Sequence, residues 1–155
     1  MKWLKLLASL ALPLAVGAVA GIATSSNVTT WYPELTKPSF NPPNWLFAPV
    51  WTILYVVMGI SLFLVWKQPA SSPRNRAIAF FLIQLTLNFF WSFIFFEWHL
   101  VSWALVEIGL LWLALLGCII AFAKINKLAA WLLVPYLLWV SFATALNTAI
   151  YMLNK

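Results

Sequence analysis

Five apolar stretches, each long enough to cross a bilayer, leave this chain almost no freedom of architecture. They run over about residues 3–23, 45–66, 77–96, 101–123 and 128–153, and a spanning helix needs about 20 mostly apolar residues. Hydrocarbon offers no water to bond an exposed backbone, so a spanning segment is a helix or part of a closed barrel. Continuous apolar runs lack the in/out alternation of barrel strands. The expected fold class is therefore all-α: a polytopic membrane protein, one domain over residues 1–155 built as a bundle of five transmembrane helices. Composition agrees, since 65% of the 155 residues are hydrophobic and only 8% charged, against roughly a quarter in a soluble domain.

The formal charge of +6 comes from nine Lys and Arg against three Glu, spread through loops and termini. No basic stripe forms, so a nucleic-acid partner is not expected. With five spans, Lys2, Lys5, Lys67, Arg74, Arg76, Lys124 and Lys127 fall on one side, and only Lys37 and Lys155 on the other. The positive-inside rule then predicts a cytoplasmic N-terminus, with the first loop and the C-terminus outside, in a bacterial inner membrane. A cleaved signal peptide competes for the first span, because Ala18-Val19-Ala20 resembles a cleavage site. Against it stand the length of the run and the spacing Gly17-x-x-x-Gly21, which suits close helix packing, within the chain or between two copies. Cys118 lies in an apolar run and reads as a small buried hydrophobe.

Residues 24–44 form the one long connection, expected to be lid-like. Four of the nine prolines lie between Trp31 and Trp45, which rules out regular helix and stiffens the backbone. Such a segment either folds over the bundle or lies at headgroup depth. Of eleven Trp, residues 3, 45, 66, 98 and 131 lie near span ends and suit an interfacial belt. Trp51, Trp91, Trp103, Trp112 and Trp139 lie further in, where an indole N–H needs a partner or a cavity.

The third span carries Gln84 and Asn88 at helical spacing with Trp91 three residues on, and the fifth carries Trp139, Ala143 and Asn147. Buried amides must be bonded, so both faces should point into the bundle. They serve either as glue between helices or as walls of a pocket for a flat, mostly apolar ligand. Glu107, the one acid well inside a span, is by default a functional candidate, though a hydrogen bond to a neighbouring helix explains it equally. Glu97 and His99 read as solvated loop residues. No Cys/His metal spacing, P-loop, nucleophile elbow or dinucleotide turn is present, so no metal site and no soluble-enzyme chemistry are expected. Nor is there the inverted repeat common in secondary transporters.

Trp31-Tyr32, Lys37-Pro38-Ser39-Phe40, Pro42-Pro43 and Pro49-Val50-Trp51-Thr52-Ile53-Leu54-Tyr55 together resemble the signature of the tryptophan-rich sensory protein family, also called the translocator protein or peripheral benzodiazepine receptor family. Leu87-Asn88 with Trp91, Ala104-Leu105-Val106-Glu107, Pro135-Tyr136-Leu137-Leu138-Trp139 and Phe142-Ala143-Thr144-Ala145-Leu146-Asn147 extend the match over the whole chain. The resemblance implies a homodimer whose pocket opens toward the long-loop side and binds protoporphyrin IX, haem, sterols, isoquinoline carboxamides or benzodiazepines, with no resident cofactor required. It implies pocket residues Tyr32, Trp51, Asn88, Trp91, Trp103, Trp139, Ala143 and Leu146. It also implies three alternative activities: sensing in tetrapyrrole homeostasis or stress regulation, light-dependent breakdown of protoporphyrin with Trp51 and Trp139 as the redox pair, or transport of porphyrin or sterol. In the animal members an aromatic residue follows the Asn matching Asn147, where this chain has Thr148, although Leu146, Tyr151 and Lys155 satisfy the loose cholesterol pattern.

Overall fold

The computed structural model describes residues 2–155 as a helical bundle. Helix α1 spans Lys2–Val28, α2 Phe47–Trp66, α3 Ser72–Ser92 and α4 Val101–Ala123; α5 (Lys127–Leu132) and α6 (Val134–Asn154) share the fifth span. Five helical segments are long and apolar enough to cross a membrane. A break at Leu133, just ahead of Pro135, separates α5 from α6, as expected where a proline removes a helical donor.

Helix ends lie beyond the expected positions for identifiable reasons. The α1 helix continues past Ala23 through Thr24, Ser25, Ser26 and Asn27. Thr24 Oγ1 donates to Ala20 O at 3.2 Å, Ser25 Oγ to Ile22 O at 3.2 Å and Asn27 Nδ2 to Ala23 O at 2.9 Å, so polar side chains are satisfied on their own helix. The connection is correspondingly shorter than residues 24–44. The α3 helix starts five residues before Ala77, where Ser71 Oγ accepts from the Arg74 backbone N–H at 3.2 Å and Pro73 occupies the first turn. Past Ser92 a π-helical turn, Phe93–Glu97, widens the helix. His99 closes the two-helix corner with a φ of 58°, a left-handed conformation that His adopts more readily than most residues.

The main core joins α2, α3, α4 and α6 through Met58, Phe81, Leu111, Leu115, Phe122 and Tyr136. A second cluster at the loop end gathers Tyr32, Phe95, Phe96, Ala104, Leu146 and Ile150. The connection after α1 folds back over this end and is tied down. Thr36 gives its N–H to Asn154 Oδ1 at 2.9 Å and its carbonyl accepts from Asn154 Nδ2 at 2.7 Å. Lys37 Nζ donates to the carbonyls of Tyr32 and Leu35 at 3.0 and 2.9 Å. The segment thus lies against the loop end of the bundle.

The Gly17/Gly21 spacing divides into two different roles. A Cβ at Gly17 would collide with the Tyr55 ring, whereas one at Gly21 meets nothing within 4 Å. Gly17 is thus a contact within the chain, and Gly21 borders open space.

Candidate functional site

Between α1, α2, α3 and α6, in the loop-side half of the bundle, lies a cavity of about 440 Å³. Its walls are aromatic because three spans contribute rings at the same depth. The α2 helix brings Phe47, Trp51 and Tyr55, the end of α3 brings Trp91, Phe95 and Phe96, and α6 brings Trp139 and Phe142, with Ala143, Leu146 and Asn147 beside them. Two consecutive phenylalanines reach the wall where the helix widens into its π-helical turn, a distortion common at functional sites. Tyr32 roofs the cavity from the lid at 1% exposure.

Trp51 and Trp139 meet edge to face, ring centroids 6.3 Å apart at 86°. Phe142 packs on Trp139 at 5.4 Å and Tyr55 stacks on Trp51 at 5.6 Å. The Trp91 indole donates to Asn147 Oδ1 at 3.1 Å, while Asn147 Nδ2 donates to the Val101 carbonyl at 3.1 Å. Trp112, outside the cavity, donates to Ser141 Oγ at 2.8 Å. Trp139 differs: its Nε1 is buried without a hydrogen-bond partner among the described residues. A buried orphan donor costs about 1–3 kcal/mol, and the ring that carries this one lines the cavity.

Beneath this floor runs a buried polar chain. The Tyr55 hydroxyl donates to Asn88 Oδ1 at 2.7 Å, Asn88 Nδ2 donates to the Tyr136 hydroxyl at 2.7 Å, and that hydroxyl donates to Gln84 Oε1 at 2.7 Å. Asn88 therefore supports the wall through Tyr55 and is not itself part of the cavity lining. Trp103 departs from expectation altogether: it is 65% exposed and lies off the cavity. As the third residue of α4 it sits at the end of a span, where an indole suits the headgroup region. Tyr32, Trp51, Trp91, Trp139, Ala143 and Leu146 do converge on the cavity. Glu107 does not, and both its carboxyl oxygens are buried without partners among the described residues.

Sequence reasoning passed over Asn27, Glu97 and His99 as a unit. His99 stacks on Trp31 at 4.1 Å and its Nε2 lies 2.9 Å from Asn27 Oδ1; Asn27 Nδ2 donates to Glu97 Oε2 at 3.3 Å. The corner between α3 and α4 thereby holds the end of α1 and the start of the lid. No spacing in the sequence signals a contact across 70 residues.

The lid also has a pH signature. The Tyr32 hydroxyl donates to Asn41 Oδ1 at 2.6 Å, and burial pushes its pKa from 10.0 up to about 12. A raised folded pKa means the neutral, bonded form is fully kept below 10.0 and is lost as pH rises through about 12. A difference titration of tyrosinate absorbance, wild type minus Tyr32→Phe, should have its midpoint near the upper value. A midpoint near 10.0 would contradict the closed roof.

Comparison with known proteins agrees with this architecture. The model of the TspO/MBR family matches residues 9–153. The chain is 44% identical over 154 residues to the tryptophan-rich protein TspO of Archaeoglobus fulgidus, covering 99% of both chains. It is 46% identical over 145 residues to the protein of the same name from Chlorobaculum tepidum, covering 91% of this chain and 90% of the relative. To the human translocator protein it is 40% identical over 123 residues, 78% of this chain and 73% of that one. With five apolar helices, an aromatic cavity between four of them and relatives matched along nearly its whole length, this chain belongs to the TspO/MBR family and is an integral membrane protein.

Proposed function

We propose that this protein is a membrane receptor that holds a flat, mostly apolar ligand of the porphyrin class, protoporphyrin IX or haem, between its indoles, in tetrapyrrole homeostasis or stress regulation. The observation that carries the reading is an aromatic-walled cavity lined by the ring of Trp139, whose buried N–H has no partner among the described residues and is presented to a bound acceptor by a small turn of the indole. Stacking on rings supplies affinity without much polar cost, and one placed donor sets orientation. A carbonyl or carboxylate on the ligand is the complementary group. Protoporphyrin IX titrated into purified protein should quench tryptophan fluorescence saturably, and Trp139→Phe, which keeps the ring and removes the donor, should weaken binding about tenfold, or about 1.4 kcal/mol. Quenching that never saturates, or an unchanged affinity in the variant, would overturn the reading.

A second reading is favoured by the Trp51–Trp139 contact at 6.3 Å: light-dependent oxidation of bound porphyrin, with dioxygen as oxidant and the indole pair exchanging electrons with the excited ring. The ligand carries the chemistry and the protein binds and orients it. Illumination should then bleach the porphyrin band in wild type and not in the Trp51→Phe/Trp139→Phe double variant, compared at equal bound porphyrin. Equal bleaching in both would leave only the receptor.

The proposed orientation is supported by charge. Seven basic residues at the end opposite the lid favour a cytoplasmic N-terminus, in a bacterial inner membrane. A cysteine introduced at Ser39 in the lid should react with an impermeant maleimide added outside intact cells. Labelling only after lysis would reverse the topology.

A further inference from the structure

The cavity lacks a wall on one side. Its exposed lining residues are Ala18, Gly21 and Ser25 on α1 facing Asn44, Ala48 and Thr52 at the start of the second span; every other lining residue is at least partly buried. Gly21 opens onto free space, as no atom beyond its own stretch of helix lies within 4 Å of where its Cβ would be. Deeper in the membrane the same two helices close tightly, with Gly17 against the Tyr55 ring and Gly59 against the backbone of Ser9 and Leu10. The gap is therefore local to the loop-side half. The hydroxyls on its rim are turned into their own helices: Thr52 Oγ1 donates to Ala48 O at 2.8 Å and Ser25 Oγ to Ile22 O at 3.2 Å. What faces the gap is small and largely apolar.

Pro13 lies below it. Lacking an N–H, it leaves the Ser9 carbonyl without its helical donor, which makes this the natural bending point of α1. The aqueous end is strapped instead: Thr36 is held by both amide atoms of Asn154, and Phe40 packs on Phe142 at 6.1 Å.

We infer that ligand enters and leaves this cavity sideways, from the bilayer, through the gap between the loop-side halves of α1 and α2. This rests on the cavity being a binding site for a membrane-soluble ligand, as proposed above. Gly21 is seven residues below Val28, or about 10 Å at 1.5 Å per residue, so the opening reaches into hydrocarbon, where such a ligand already resides. Trp45, 71% exposed, marks the headgroup level above it. Passage from water would break the Asn154 strap and strip the ligand from the membrane. Passage from the side leaves that strap intact and needs only a local widening of a gap that is already open beside Gly21.

The test reconstitutes the full chain in phosphatidylcholine vesicles and follows tryptophan quenching by protoporphyrin IX dissolved in the same bilayers. Gly21→Phe and Ala48→Phe fill the gap from opposite walls. Both association and dissociation should slow by about tenfold, because a plug obstructs both directions, whereas a spoiled site would release ligand faster. Asn154→Ala, which frees the lid, should leave association within about twofold of wild type. Unchanged or faster dissociation in both plugged variants, or faster exchange in Asn154→Ala, overturns lateral entry. No saturable quenching in wild type overturns the binding reading itself, and lateral entry with it.

Discussion

Replacing Gly59 with Val is expected to destabilise the bundle by about 3 kcal/mol or more, enough to leave little folded protein after detergent extraction. Without a side chain, α2 lies so close to α1 that a Cβ at residue 59 would stand 2.7 Å from the Ser9 carbonyl oxygen and 2.8 Å from the Leu10 Cα. Those are backbone atoms, so no rotamer change relieves the overlap and the helices themselves must separate. Separation would unseat Ser9, which is buried at the same crossing. It would also withdraw Gly17 from the Tyr55 ring and so loosen the wall behind Trp51. Close approach of this kind is a main source of stability between membrane helices, because lipid is as apolar as the side chains and gives no hydrophobic drive. Gly109→Ala is the matched control, for a Cβ there meets nothing within 4 Å; its thermal midpoint should stay within about 2 °C of wild type. Equal midpoints for the two variants would show that the α1–α2 crossing does not hold the fold together.

The architecture was legible because hydrocarbon imposes a single answer on long apolar runs, and span number and span order follow from it. What was not legible depends on three-dimensional register. Trp103 and Trp51 have the same chemistry and both lie a few residues inside a helix, but one turns outward and the other toward Trp139. Nothing in the local sequence distinguishes them, and the family resemblance assigned both to the pocket. Gly17 and Gly21 share one face and one residue type, yet only the path of α2 decides that Tyr55 fills the space beside the first and nothing fills that beside the second. The boundary of α1 was misplaced for a local reason, since Thr24, Ser25 and Asn27 read as a stop until their side chains are seen bonded to the preceding turn. Amide faces were a sounder guide. Asn147 lies beside the cavity holding Trp91 in place, and Asn88 sits one layer behind it.

Asn88→Leu should cost about 2 kcal/mol and weaken porphyrin binding, and adding Tyr55→Phe should restore about half of the lost stability. Asn88 bridges two hydroxyls that react differently to its removal. Tyr136 still donates to Gln84 Oε1 at 2.7 Å and forfeits only an acceptor's bond, whereas Tyr55 loses the single partner its hydroxyl has among the described residues. The leucine therefore strands a buried donor, and most of the cost is the burial of that stranded group. Removing the hydroxyl as well takes the penalty away, so the double variant should melt between wild type and Asn88→Leu. Average hydrogen bonds between membrane helices are worth only about 0.6 kcal/mol, and two such bonds lost independently would give about 1.2 kcal/mol with no recovery on the second substitution. The sign of the Tyr55→Phe effect in the Asn88→Leu background thus separates the two accounts. Binding separates them again: Tyr55 stacks on Trp51 and fits against Gly17 with no slack, so a stranded hydroxyl that swings toward the cavity in search of water carries the Trp51 wall with it. Porphyrin affinity should fall in Asn88→Leu and recover in the double variant, in step with the melting temperatures.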